Sequence, residues 1–189
     1  MVSIFDDMTQ VNEAEVRRML PLIDEQRRKE ALRYKHLFGQ YACLKSWLML
    51  YELLKTLSIN DLEMDYNMHG KPYLKHHPQV CFNLSHCKNG IAVAVDFSPI
   101  GIDIESFRKD NVALVRKTMN PAEAEWIRSS SDPVEAFTQF WTKKEAVVKL
   151  RGTGIITDDL HDVLDGEGYH LETHLNREKH YAWSVAYTH

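Results

Sequence analysis

The amino-acid sequence predicts an α+β fold made of two similar halves, each a small, mainly antiparallel sheet packed with helices. Helix-like and strand-like stretches follow one another in the same order twice along the chain. No residue-level repeat accompanies this doubling, so only the order of the elements indicates it. We expect residues 1–98 and 99–189 to form the two halves, with a join near Ser98 and Pro99.

The first half is expected to begin with helix and to end with strands. Residues 11–56 have the composition of helix with one or two breaks, and after Asn60 short segments alternate with turn signals. Apolar segments at 80–84, 91–97 and 100–104, with a tight turn at residues 89–90, predict an antiparallel sheet. The early helical part carries a basic cluster of Arg27, Arg28, Lys29, Arg33 and Lys35.

The second half contains two clear signals for the start of a helix. Asn-Pro at 120–121 and Asp-Pro at 132–133 combine a capping side chain with a proline at the first helical position. Gly152 and Gly154 would end the second of these helices. The tail, 161–187, has the alternation of strands.

Composition narrows the classes of function. A net charge of −4 disfavours generic nucleic-acid binding through a uniformly basic surface. No apolar run approaches the roughly 20 residues that cross a bilayer, and the N-terminus has no signal-peptide pattern. Three cysteines without metal-ligand spacing fit a reducing compartment. We therefore expect a cytoplasmic protein that binds neither nucleic acid nor membrane.

One strand-like stretch, Gly-Ile-Asp-Ile-Glu at 101–105, pairs two carboxylates. Because side chains alternate along a strand, Ile102 and Ile104 would enter the core while Asp103 and Glu105 project together from the other face. At about 6 Å and an effective dielectric near 20 their repulsion is about 3 kcal/mol, which favours a cation between them. An ordinary solvated strand end is the alternative.

A second stretch lies late in the helix that begins near 132. Trp141, Lys144, Glu145 and Lys149 have the i, i+3, i+4, i+8 spacing that we interpret as one helical stripe. The alternative is a surface Glu145–Lys149 ion pair, worth about 0.3–0.5 kcal/mol, beside a tryptophan anchored in the core.

Together the two stretches suggest a magnesium-dependent phosphate enzyme. Asp103, Glu105 and Glu145 could form an all-oxygen site for magnesium, and lysines beside it would neutralise phosphate charge. Further upstream, Ser85 and His86 end a strand and Lys71 lies on a turn, so they could serve an anionic substrate. Taken singly, a structural histidine and a solvated turn lysine remain the alternatives.

These residues also carry a family resemblance. The stretch 101–105, followed by Trp-Thr-Lys-Lys-Glu-Ala-Val-Val-Lys at 141–149, resembles the paired signature of the 4'-phosphopantetheinyl transferase superfamily. Residues 82–86 and 70–72 resemble upstream motifs of its larger, surfactin-synthetase-activator (Sfp-type) branch, so the resemblance spans roughly 25–150.

The resemblance implies an enzyme that transfers the phosphopantetheine arm of coenzyme A to a serine of an apo acyl or peptidyl carrier protein and releases adenosine 3',5'-bisphosphate. It also implies two halves related by a pseudo-twofold, with coenzyme A in the cleft between them. Fatty-acid, polyketide and peptide assembly all use this modification. The alternatives are a non-catalytic coenzyme A or nucleotide-binding protein of the same fold and an interaction module.

The resemblance further assigns roles to individual residues. Asp103, Glu105 and Glu145 would hold magnesium, with Glu145, Asp103 or metal-bound water as the base, and Lys149 would act on the phosphates. The other implied contacts are Lys144, Ser85 and His86 at the phosphates, Lys71 near the nucleotide end, Arg27 at the 3'-phosphate and Glu123 near the metal. Members of this branch often carry an arginine on the helix after the basic cluster, whereas residues 37–44 contain neither arginine nor lysine. Because both halves lie in one chain, we expect a monomer.

Overall fold

The computed structural model describes residues 1–68, 70–107, 112–152 and 160–188. Helices and small antiparallel sheets alternate along it, so the predicted α+β class is confirmed. The first half consists of β1 (Val2–Phe5), α1 (Glu13–Met19), α2 (Glu25–Leu32), α3 (Leu37–Thr56), β2 (Met64–Tyr66), β3 (Pro72–Leu74), β4 (Cys81–Cys87) and β5 (Gly90–Asp96). The second half consists of β6 (Ile100–Ser106), α4 (Val112–Thr118), α5 (Pro121–Ser129), α6 (Pro133–Arg151), β7 (His170–Asn176) and β8 (Tyr181–Tyr187).

Helix boundaries follow the capping residues in the sequence. The predicted helical region 11–56 is divided twice, and Asp24 caps α2 by accepting the Arg27 N–H. Asn120 and Asp132 cap α5 and α6 through their side chains, as predicted. Gly152 ends α6 in a left-handed conformation, whereas Gly154 lies outside the described residues.

Both halves have the same connectivity. In each, a strand is followed by helices and then by an antiparallel hairpin, and the second hairpin strand lies at the centre of the sheet. The strand orders are β1-β5-β4 and β6-β8-β7. The first half additionally contains the β2–β3 hairpin. The element order that repeats along the sequence thus corresponds to a sheet topology that occurs twice. Its first copy begins with a strand, β1, that sequence reasoning missed.

The prediction of one antiparallel sheet from 80–84, 91–97 and 100–104 is wrong in part. β4 and β5 pair, but β6 pairs with β8. The reason is that β1 and β4 already occupy both edges of β5. β6 lies beside β4 instead, where the Ile102 N–H donates to Asn83 Oδ1 at 2.9 Å and the Ile104 N–H to Ser85 Oγ at 3.4 Å.

The core positions the polar strand residues. Ile102 and Ile104 of β6 are fully buried in a cluster with Ala92 and Ala94 of β5, as the alternation predicted. α3 packs against the first sheet, and α6 packs against β6 and β8. In the part of the chain that the structure describes, no helix is both long enough and apolar enough to cross a bilayer.

Candidate active site

Three side chains, one each from β4, β6 and α6, meet and form a triad. The Lys149 Nζ of α6 donates to Asp103 Oδ1 of β6 at 2.6 Å and to Ser85 Oγ of β4 at 3.0 Å. The Ser85 hydroxyl also donates to Asp103 Oδ1, at 2.8 Å. The structure thus joins residues from three of the motifs that the sequence singled out.

Asp103 is not a solvated strand end. Its exposed fraction is 3%, and its second oxygen, Oδ2, is buried without a hydrogen-bond partner among the described residues. A buried charge of this kind requires compensation, and Lys149, whose side chain is 26% exposed, supplies it on one oxygen only. The other carboxylate oxygen remains available to a ligand.

Glu145 adds a second buried carboxylate, 5% exposed, on the helix that carries Lys149. Burial, followed by the negative charges of Asp103 and Glu105, raises the pKa of Glu145 from its ordinary 4.5 to about 7, although Lys149 opposes the shift. Glu105 is half-buried. The three predicted carboxylates are therefore close enough to act electrostatically on one another.

These carboxylates fit a hard cation by their chemistry. All the candidate ligand atoms are carboxylate oxygens, and one of them, Asp103 Oδ2, is buried without a partner among the described residues. Burial, followed by the charges of Asp103 and Glu105, disfavours the ionised form of Glu145, and a bound cation would offset this effect. Among the residues described, no three His, Cys, Asp or Glu side chains are already arranged as a metal site. Lys149 occupies one oxygen of Asp103, so magnesium would bind as the side chains adjust.

The raised pKa of Glu145 predicts a pH-dependent stability. A carboxyl whose pKa is raised by folding stabilises the chain fully below its ordinary pKa, and this contribution is lost as pH rises through about 7. One pKa unit corresponds to about 1.4 kcal/mol. Without metal, we expect the free energy of unfolding of Glu145→Gln to rise by about 2–3 kcal/mol relative to that of wild type between pH 5 and pH 8.

Urea unfolding in EDTA at the two pH values measures this gain. Glu167→Gln is the matched control, because Glu167 is an exposed carboxylate of the same half. If the difference in the free energy of unfolding between Glu145→Gln and wild type is the same at both pH values, the raised pKa of Glu145 is contradicted.

The Lys144 ammonium does not lie beside the Lys149 ammonium. The prediction that both lysines share one helical stripe is therefore wrong for Lys144. Lys144 is fully buried, and its Nζ donates to the carbonyls of Leu160 at 2.6 Å and His161 at 3.1 Å. A third contact, at 2.8 Å, is the ion pair with Glu123. The physical reason is helix geometry: Lys144 and Lys149 are five residues apart and therefore about 140° apart around the axis, so the two ammonium groups face different neighbours.

Glu123 likewise has a structural role rather than a position near the carboxylates. It is the third residue of α5 and closes a capping box with Asn120, each side chain bonding to the other's backbone N–H. The same carboxylate holds the buried Lys144 ammonium. The expectation of a fourth acidic group at the metal is therefore not supported.

A cavity of about 220 Å³ in the first half is lined in part by His86, the residue that follows Ser85. Lys71 and His86 line it, together with Trp47 and Phe82. Surrounding protein atoms, followed by the positive charge of Lys149, lower the pKa of His86, while Asp103 opposes the shift. This cavity therefore brings together His86, a predicted contact of the phosphates, and Lys71, which is predicted to lie near the nucleotide end.

Arg27 is separated from that cavity. It is 1% exposed, donates through Nη1 to Glu30 at 2.7 Å, and stacks 4.1 Å from the centre of the Trp47 ring and 5.3 Å from that of Tyr66. Its Nη2 has no partner among the described residues. Arg27 lines a different cavity, of about 510 Å³, whereas its contacts Trp47 and Glu30 line the cavity of Lys71 and His86.

Sequence reasoning missed two residues that build the site. Asn83 accepts the Ile102 N–H and so bridges β4 to β6. At Gly101, a Cβ atom would lie 2.1 Å from the Ala146 carbonyl oxygen, so only glycine lets α6 approach β6 this closely. A glycine within a strand pattern is itself a signal of close backbone approach.

Comparisons with known proteins agree with this geometry. Residues 99–188 match the model of the 4'-phosphopantetheinyl transferase superfamily. Among curated relatives, the chain is 27% identical to 4'-phosphopantetheinyl transferase psf-1 of Bacillus pumilus over 75% of this chain and 63% of that protein. It is 23% identical to 4'-phosphopantetheinyl transferase Sfp of Bacillus subtilis strain 168, over 77% and 67% respectively.

A third relative, 4'-phosphopantetheinyl transferase HetI of a Nostoc species, is 37% identical over 50% of this chain and 43% of its own length. The chain thus spans less than two thirds of the length of psf-1 and of HetI. These matches confirm the resemblance that the motifs predicted: residues 99–188 match the model of the 4'-phosphopantetheinyl transferase superfamily, and the chain is similar to its larger, Sfp-type members.

Proposed function

We propose that the chain is a magnesium-dependent enzyme that transfers the 4'-phosphopantetheine arm of coenzyme A to a serine of an apo acyl or peptidyl carrier protein. The product released with the modified carrier is adenosine 3',5'-bisphosphate. The observation that carries the proposal is the contact of Lys149 with Ser85 and Asp103, beside the buried Glu145, at the junction of the two halves. The relatives named as 4'-phosphopantetheinyl transferases support it.

The proposed reaction is a phosphoryl transfer, which depends mainly on positioning and charge neutralisation. The serine oxygen of the carrier forms a bond to the phosphorus of the pantetheine arm, and the bond from that phosphorus to the adenosine bisphosphate oxygen breaks. The serine proton passes to a base. Glu145 is the proposed base because it is a buried carboxylate on the helix that carries Lys149, close enough to Asp103 for the two to interact electrostatically.

The charges of the substrate would be met by side chains already gathered at the site. Lys149 is the cation nearest Asp103 and would neutralise charge on the phosphates. Asp103, Glu105 and Glu145 would hold magnesium, which would supply positive charge to neutralise the phosphate oxygens. Ser85, His86 and Lys71 remain proposed contacts of coenzyme A, whereas Lys144 is withdrawn because its ammonium is fully enclosed.

We further propose that the chain acts as a monomer, with the site in the cleft between residues 1–98 and 99–189. Ser85 belongs to the first part, and Asp103 and Lys149 belong to the second, so one chain supplies all members of the triad. The proposed partner is therefore a single carrier protein and its coenzyme A donor.

Intact-protein mass spectrometry of an apo carrier protein, incubated with this chain, coenzyme A and magnesium, tests the function. We expect a mass gain of one phosphopantetheine group that disappears with EDTA or with Glu145→Gln and persists with Glu167→Gln. Coenzyme A binding without any gain, on both fatty-acid and peptide-synthetase carriers, would support the non-catalytic binding protein. Absence of both binding and transfer would overturn the proposal.

A further inference from the structure

A chain of buried hydroxyl groups links α6 to the second sheet. The Thr142 hydroxyl of α6 lies 2.8 Å from the Ser184 hydroxyl of β8, and the Ser184 hydroxyl lies 2.9 Å from that of Thr173 on β7. Thr142 and Ser184 are both fully buried. Burying a hydroxyl costs free energy unless the group is paired, so these contacts are needed where they lie.

The hydrogen bonds of this chain run in one direction. Thr142 donates its hydroxyl proton to the Gln139 carbonyl of its own helix, at 3.1 Å. Because a hydroxyl has a single proton, Thr142 then accepts from Ser184, and Ser184 in turn accepts from Thr173. The buried groups are satisfied together only while α6 and the two strands keep their present relative positions. A slide of α6 along the sheet would leave buried hydroxyls unpaired, which is costly.

The apolar contacts of α6 do not fix its position in the same way. Ala146, Val147 and Leu150 of α6 form a buried cluster with Ala186 of β8. Apolar burial is non-directional, so it holds the helix on the sheet without selecting one register. A hydrogen bond requires a particular distance and angle, and the Thr142 contact therefore supplies the selection.

This contact lies next to the charged groups of the candidate site. In the sheet register Ser184 is directly opposite Asp103 of β6, so the two residues are neighbours on one face of the sheet. On α6, Thr142 precedes Glu145 by three residues and Lys149 by seven, which places the three on one face of the helix. The Thr142 contact and the ion pair of Lys149 with Asp103 thus join the same two faces.

We propose that Thr142 is a positioning residue, which pairs with Ser184 and so fixes the register of α6 on β8. This register in turn sets how Glu145 and Lys149 lie relative to Asp103. Because transfer depends on positioning, an offset between α6 and β6 would lower the rate more than it lowers the binding of coenzyme A. The kinetic test of this role rests on the proposed transferase function, whereas its hydrogen-exchange test does not.

Thr142→Val keeps the shape of the side chain and removes the hydroxyl, and Thr142→Ser keeps the hydroxyl. Thr138→Val is the matched control, because Thr138 lies one turn earlier on α6, is 2% exposed and donates to the Val134 carbonyl of the same helix at 2.8 Å. At a temperature where every variant is folded, we expect Thr142→Val to lower kcat about tenfold, since a displacement of about 1 Å costs about 100-fold. The KM for coenzyme A should change less than about twofold. Thr142→Ser should recover most of kcat, and Thr138→Val should leave kcat unchanged.

Two further measurements test the contact itself. In a double-mutant cycle, Ser184→Ala should lower kcat by a similar factor, and combining it with Thr142→Val should cost little more than either change alone. Hydrogen–deuterium exchange without coenzyme A should become faster at residues 143–149 in Thr142→Val and stay unchanged there in Thr138→Val.

A loss of thermal stability in Thr142→Val with kcat unchanged would overturn the proposal and leave Thr142 a purely structural residue. Losses that multiply in the double variant would overturn it as well, as would unchanged exchange at 143–149. If the wild-type chain transfers nothing but exchange responds to Thr142→Val and not to Thr138→Val, the contact fixes α6 and the proposed transferase function fails, so the two failures are distinguishable.

Discussion

Asp103→Asn will reduce transfer on the order of 10²–10³-fold while the chain remains folded. The amide keeps the shape and hydrogen-bonding oxygen of the carboxylate but removes the charge that Lys149 neutralises at 2.6 Å. It also removes one of the three carboxylates proposed to hold magnesium. Losses of this size are typical when a charged group that organises a water-poor site is removed.

A second readout of Asp103→Asn does not depend on transfer. The negative charge of Asp103 is the largest contribution after burial to the raised pKa of Glu145. We therefore expect a carboxyl titration by NMR to show the pKa of Glu145 below about 7 in this variant. Asp162→Asn is the matched control, because Asp162 is an exposed carboxylate of the same half.

Two outcomes would contradict the role given to Asp103. Transfer at a near-wild-type rate would remove this carboxylate from the site. An unchanged Glu145 titration would show that Asp103 and Glu145 do not share an electrostatic environment.

Local signals in the sequence predicted much of the fold and part of the site. Capping residues such as Asn120 and Asp132 mark helix starts because they satisfy N–H groups of the first turn, a requirement local to a few residues. Strand alternation placed Asp103 opposite Ile102 and Ile104 for a similarly local reason. Both kinds of signal were confirmed.

Contacts between residues that are far apart in sequence could not be predicted in the same way, because no local pattern marks them. Spacing alone grouped Lys144 with Lys149, but which side of α6 faces β6 is decided by packing against other elements. The segment 100–104 was assigned to the sheet of its neighbours in sequence, whereas its partner is β8, at the other end of the chain. The contact between Thr142 and Ser184 similarly joins positions 42 residues apart.

Gly101→Ala will destabilise the chain and separate the two motifs of the candidate site. The added Cβ would lie 2.1 Å from the Ala146 carbonyl oxygen, 2.3 Å from the Leu150 nitrogen and 2.9 Å from the Lys149 carbonyl carbon. All three are main-chain atoms of α6, which no side-chain rotation can move aside. The helix must therefore shift away from β6, and overpacking of this kind costs about 1–3 kcal/mol, occasionally more.

The shift would also disturb the chemistry, because α6 carries Glu145 and Lys149 whereas β6 carries Asp103. A displacement of about 1 Å at a reacting site is enough to cost about 100-fold in rate. We expect Gly101→Ala to lower the free energy of unfolding in urea and to reduce transfer by that factor. Gly166→Ala is the control, because its Cβ would crowd the far end of the flexible Arg151 side chain, at 2.7 Å, and would lie at ordinary contact distances of 3.6 Å from Tyr169 and 3.8 Å from Val163. Wild-type stability together with wild-type transfer in Gly101→Ala would show that α6 and β6 do not need this close approach, and the glycine of the 101–105 motif would then require another explanation.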